Sequence, residues 1–165
     1  MILPGHLAAA YLVSHTPGLE RRGLWQAAMF PDLVDKPLRW VLRLTPNDRL
    51  PAHSGLFWLL STAIAWATQG RAFGLSWGVG YGVHLGCDAL NARLNRGRVY
   101  WLWPFKRYQY HIGPTGLISS LRDFRWRSLS IEAALTTLGL VLLAARVAAR
   151  RTGPRRPDGH LGGMA

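Results

Sequence analysis

The sequence predicts an all-α protein: an integral membrane helical bundle built on a central antiparallel helix hairpin, about 54–70 and 72–92. Three observations predict it. Ser54 to Gly70 carries no charged residue. Ala72 to Ala92 (AFGLSWGVGYGVHLGCDALNA) offers only His84 and Asp88 as ionisable groups apart from Cys87 and Tyr81, both neutral in ordinary surroundings. Its length is what an α-helix rising about 1.5 Å per residue needs to cross a hydrocarbon core of about 30 Å. Gln69-Gly70-Arg71 then leaves room for only a short turn between the two runs, so they must lie antiparallel.

Taken in order, Met1 to Val13 reads as a short helix with Pro4 near its first turn and His6 one turn in. Ser14 to Gly18 breaks it. Leu24 to Phe30 reads as a second short helix ended by Pro31, and both are too short to span, so they are expected as re-entrant or packed elements. Asp32 to Pro37 reads as a tight polar turn. Leu38 to Leu44, with Arg39 and Arg43 one turn apart beside Trp40, reads as a basic amphipathic helix on the membrane surface. Ser54 is a natural N-cap for the first hairpin helix. In the second, Gly74, Gly78, Gly82 and Gly86 recur every four residues and form a ridge without side chains where another helix can come close. Asn95 to Arg127 is rich in arginine and aromatics and reads as interfacial structure. Ile131 to Ala145 is a C-terminal apolar helix. The expected organisation is therefore a single membrane-embedded helical domain, 1–149, followed by a disordered basic tail, 150–165.

Charge narrows the class. The chain of 165 residues has 20 Lys and Arg against 8 Asp and Glu, and all the basic residues but Lys36 and Lys106 are arginines. That balance suits an anionic membrane surface or a nucleic acid. The apolar runs and 8 tryptophans favour the membrane, where basic and aromatic residues gather at the headgroups. Loops 36–53 and 95–128 fall on one side of the hairpin and carry eleven Lys and Arg against Arg71 opposite, which makes the rich side cytoplasmic. A C-terminal helix that also crossed would put the basic tail on the other side, against the same rule, so its orientation stays open. The stretch Met1 to Leu19 lacks the basic start of a cleavable signal peptide. One cysteine, Cys87, excludes an internal disulfide and a paired-cysteine zinc knuckle.

The hairpin carries a geometric consequence. His53 lies seventeen residues before Gly70, and His84 and Asp88 lie fourteen and eighteen after it. At equal rise the three reach similar depth near the cytoplasmic end. His84 and Asp88, four apart, share a helix face turned away from the glycine ridge. Asp32 and Asp35 are reachable from the same side, and His6 is on a helix that could dock there. Imidazole and carboxylate are the ligand set of zinc and related divalent ions. The plainer readings stand beside this: a polar pair joining two helices, and ordinary acidic turn residues. Gly78-Val-Gly-Tyr-Gly82 follows no strand and is no nucleotide loop.

His6 in PGHLAAA, the FPDLVD turn, Arg49 with His53-Ser54, the HLGCD run and the WLWPF segment together resemble the YdjM-like family of inner-membrane metal-dependent hydrolases, some described as binding the repressor LexA. The resemblance covers residues 1 to about 118. The succession His, Asp, His, His-x3-Asp also resembles the ligand order of zinc-dependent phospholipase C. Carried onto this chain, these likenesses imply His6, Asp32, His53, His84 and Asp88 as ligands of a divalent metal, with zinc the expected ion. Asp35, outside that pattern but near it, becomes the candidate to orient or deprotonate a metal-bound water. The family often has a histidine where this chain has Asp48, a departure that leaves that histidine's role unfilled here.

The expectation is a multi-pass inner-membrane enzyme that hydrolyses an ester or phosphoester of a small molecule or lipid. The alternative is a non-catalytic membrane protein whose same residues hold a structural ion or a polar helix interface, and which serves as a regulatory interaction partner. A factor that binds nucleic acid through its positive face ranks last, because the arginines follow the membrane edges.

Overall fold

A computed structural model describes residues 3–94, 97–110, 112, 116, 118 and 126–152. The first residues of the expected tail, 150–152, continue the last helix, while its remainder and much of the arginine-rich segment lie outside the described residues. The described residues form five helices: α1 (Leu3–Val13), α2 (Arg21–Trp40), α3 (Gly55–Gln69), α4 (Arg71–Leu94) and α5 (Trp126–Thr152). The all-helical expectation holds. Among the described residues no helix is long and apolar enough to cross a membrane.

The hairpin forms as expected. Ser54 caps α3, its side chain accepting from the Phe57 amide at 3.3 Å. Gly70 makes the turn at φ +89°, a conformation that favours glycine. The ridge on α4 packs against α3: a Cβ at Gly74 would stand 2.6 Å from Trp66, one at Gly78 would meet Thr62 at 3.0 Å, and one at Gly82 would meet Trp58 at 3.2 Å. Trp58 uses that closeness to donate its indole N–H to the Gly78 carbonyl at 2.9 Å. Gly86 faces open space and takes no part.

The N-terminal half differs from expectation in one respect that matters for the site. Leu24 to Phe30 is not ended by Pro31, and Asp32 to Pro37 is not a turn. Both belong to α2, which runs through Pro31 and Pro37. Each proline deprives one carbonyl of its helical donor, but the helix is held by packing. Gly23, Leu24, Ala27, Ala28, Pro31, Asp32, Asp35 and Arg39 are its buried residues, a stripe at three- and four-residue spacing that faces the bundle. Nor is Leu38 to Leu44 a surface helix. The helix stops at Trp40, Arg43 adopts a positive φ of 55°, and the Arg39 guanidinium is buried and donates to the Thr45 carbonyl at 3.0 Å.

Helix α4 is the hub and touches all four others. Against α2 the contact is backbone to backbone, since a Cβ at Gly80 would lie 2.5 Å from the Leu24 carbonyl oxygen and one at Gly23 would lie 3.0 Å from that of Phe73. Ala27, Tyr81 and Leu85 form the core there, flanked by Phe30, Trp58 and Trp77. Helix α1 lies across α2 and α4 and is covered in turn by α5, where Gly139 meets Ala8. α1 is thus a packed element. It brings His6 over the α2–α4 seam.

Candidate metal centre

Four segments converge on one buried point. His6 comes from α1, Asp32 and Asp35 from the buried face of α2, His53 from the residue before the α3 cap, and His84 and Asp88 from consecutive turns of α4. All six are buried, His6, Asp35 and His84 completely. The loop before α3 is pinned where it matters: Tyr81 on α4 donates its hydroxyl to the Ala52 carbonyl, and Asp35 accepts the Ala52 and His53 amides at 2.8 and 3.1 Å.

Hydrogen bonds on the outer side fix the ring orientations. His84 Nδ1 donates to the Ala28 carbonyl at 2.7 Å, and His53 Nδ1 donates to Asp35 Oδ2 at 2.7 Å. In the neutral rings the proton is then on Nδ1, and each Nε2 presents a lone pair inward. Those two nitrogens stand 3.1 Å apart. Asp88 Oδ2 is 3.3 Å and Asp32 Oδ1 3.8 Å from His53 Nε2, while Asp88 Oδ1 is 3.5 Å from His6 Nε2. The His6 ring stacks on that of His84 with centroids 3.8 Å apart, and neither of its nitrogens has a hydrogen-bond partner among the described residues.

Acceptor atoms turned toward one another in a buried space repel unless a cation lies between them. Ligand atoms about 2.0–2.2 Å from a tetrahedral ion are separated by roughly 3.3 Å, close to the spacings seen. Two groups, His6–Asp32–His84 and His53–His84–Asp88, have ligand atoms within 4.8 Å of one another and could each hold an ion. They share His84 and together contain all five residues expected as ligands. The donor set and the unpartnered His6 ring both fit a divalent metal.

Two cations balance the carboxylates from outside. Lys36 pairs with Asp32 one turn away, and Arg49 Nε lies 3.7 Å from Asp88 Oδ2. Burial works against the Asp32 carboxylate, but Lys36 and then the rings of His84, His53 and His6 outweigh it and hold its pKa below the ordinary value. Burial opposes a charge on the His53 ring, yet its hydrogen bonds to Asp35 and Asp88 prevail and raise its pKa to about 9. A proton there takes the place open to a metal.

Asp35 stands apart from the expected role. Both its oxygens are occupied by the Ala52 and His53 amides and the His53 ring, behind the centre rather than facing it. Sequence reasoning did not single out Tyr81 or the Ala28 carbonyl, since a tyrosine in an apolar run and a backbone acceptor carry no signal. A cleft of about 10 Å³, room for about one water molecule, lies beside the centre and is lined by Arg49, His53, Leu85, Asp88, Val99, Tyr100 and Trp101.

Fold and site together define a helical bundle with a buried histidine–carboxylate centre suited to a divalent cation. The chain belongs to the YdjM inner membrane protein family, whose model matches residues 2–156. No curated protein and no solved structure matches it.

Proposed function

We propose that the protein is a membrane-embedded, metal-dependent hydrolase of an ester or phosphoester. The observation that carries this reading is the convergence of the His53 and His84 lone pairs with the carboxylates of Asp88 and Asp32, beside a cleft that holds Arg49. His6, Asp32, His53, His84 and Asp88 would hold one or two divalent ions, zinc being suited to imidazole and carboxylate donors. Such an ion supplies Lewis acidity and a water made acidic enough to ionise near neutral pH. The chain's own residues divide the remaining work. Asp35 is a positioning residue: by holding the Nδ1 proton of His53 it keeps that ring's Nε2 free to ligate, the usual task of a carboxylate behind a metal-bound histidine. Arg49, at the cleft and partly exposed, is placed to hold the anionic part of an ester while it neutralises Asp88. Leu85 and Val99 give the cleft apolar walls.

The membrane placement is supported by the family and by surface chemistry. Of the α3 residues only Ala65 is buried, while Leu59, Leu60, Ile64 and Trp66 are exposed. Leu75 and Val79 on α4 and Leu140 to Leu143 on α5 add further apolar surface, and Trp101, Leu102 and Phe105 are exposed in the aromatic segment. Patches of this kind suit acyl chains and the headgroup boundary.

A direct test is hydrolysis of a panel of p-nitrophenyl carboxyl esters, phosphomonoesters and phosphodiesters by detergent-purified, zinc-loaded protein. Turnover that disappears on chelation and in the His84→Ala, Asp88→Ala double variant is expected. A fully metal-loaded protein inert against the whole panel would overturn the catalytic reading. The burial of all five ligand residues favours one second reading, a structural ion that closes the bundle. In that case chelation lowers the melting temperature while the loaded protein turns nothing over.

A further inference from the structure

A second site shares no residue with the metal centre. A cleft of about 190 Å³ opens where the C-terminal end of α1, the first turns of α2 and the stretch of α5 around Arg146 meet. Arg21 and Arg146 both line it, and neither forms an ion pair with the described residues. Tyr11 lines it too, and its hydroxyl oxygen is buried without a hydrogen-bond partner among the described residues. A buried hydroxyl left unbonded is costly, and two cations around one cleft raise its potential, so both features call for an anionic acceptor. Two guanidinium groups with a hydroxyl donor are the set that recognises phosphate oxygens. The other wall is apolar, made by Trp25, Leu143 and Val147, and continues along the same side of α5 to the exposed Leu140. That surface suits an acyl chain.

We infer that this cleft binds the headgroup phosphate of a lipid of net negative charge, with the phosphate between Arg21 and Arg146, the Tyr11 hydroxyl donating to it, and the chains lying along α5, while the two guanidinium groups disfavour a headgroup that carries its own cation. The site is independent of the metal centre and stands or falls without it.

The test is native mass spectrometry of the full chain in detergent, with phosphatidylglycerol, phosphatidylcholine and inorganic phosphate as separate probes. The wild type is expected to retain phosphatidylglycerol over phosphatidylcholine. The Arg21→Gln, Arg146→Gln double variant should lose at least about tenfold in affinity, and Tyr11→Phe roughly threefold through its lost hydrogen bond. An Arg71→Gln, Arg93→Gln variant removes the same charge from exposed positions outside the cleft and should retain the lipid as the wild type does. If the cleft double variant does not fold, Tyr11→Phe carries the test. Binding of inorganic phosphate as tight as that of the lipid, and lost in the same variants, would support the phosphate site and assign it a soluble ligand. Equal retention of phosphatidylglycerol and phosphatidylcholine by the wild type and the cleft variants, or an equal loss in the Arg71→Gln, Arg93→Gln control, would overturn it.

Discussion

Replacing Asp35 by Asn probes the centre from behind, without touching a proposed ligand. The carboxylate accepts three hydrogen bonds, from the Ala52 amide, the His53 amide and His53 Nδ1, in a site closed to water. An amide of the same shape has one accepting oxygen and an NH₂ that can only donate. If the NH₂ takes the place of Oδ1 it meets the Ala52 N–H, donor against donor, and a buried unsatisfied group costs about 1–3 kcal/mol. If it takes the place of Oδ2 it opposes the His53 amide N–H, and Nδ1 must become the acceptor, which moves the ring proton to Nε2, aimed at His84 Nε2 and Asp88. The first outcome loosens the loop that carries His53, and the second also blocks the metal-binding lone pair of the ring. Loss of a carboxylate behind a metal-bound histidine typically weakens binding by roughly 10–100-fold. Zinc titration against a chromophoric chelator, alongside thermal melts of the metal-free protein, measures both effects. Zinc affinity equal to wild type in a folded Asp35→Asn protein would refute the role given to this residue.

Three further outcomes are expected. Gly80→Ala pushes a methyl group into the Leu24 backbone and should cost about 1–3 kcal/mol by separating α2 from α4, whereas Gly86→Ala meets open space and should be neutral or gain up to about 1 kcal/mol of helix propensity; chemical denaturation of the two variants tests the pair. His53 has a pKa of about 9 in the metal-free fold against about 6.5 when unfolded. Its contribution to stability is therefore fully present below about pH 6.5 and lost as pH rises through about 9, so the melting temperature of the apoprotein should fall across that window while its zinc affinity climbs. Arg49→Gln should retain bound zinc but raise KM for an anionic ester by about tenfold with a smaller effect on kcat, as loss of a binding contact does; an unchanged KM would remove Arg49 from the substrate site.

The hairpin and the shared depth of His53, His84 and Asp88 were legible in the sequence because helical rise is constant and one turn joins the two helices. The glycine ridge was equally plain, but its partner was not: which face of α3 carries Trp58, Thr62 and Trp66 depends on side-chain packing that spacing alone does not specify. Helix α2 is hard to see in the sequence because Pro31, Pro37 and two aspartates look like a turn in isolation. The signal against that lay in the periodicity, since Asp32 and Asp35 continue the stripe begun by Leu24, Ala27 and Ala28. An acidic pair on a buried helical face breaks the apolar pattern that marks such faces, and functional centres are where that pattern is expected to fail. Asp35 was found by proximity in sequence, but its role behind His53 depends on which way its oxygens turn, which only the fold reveals.

Metal content per chain tests the centre most directly. Detergent-purified wild type, loaded with zinc and desalted, should retain one or two ions per chain, and the His84→Ala, Asp88→Ala double variant, which loses the residue common to both ligand groups, should retain none. A wild type that keeps no zinc, or a double variant that keeps as much as the wild type, would contradict a metal centre at this point in the fold.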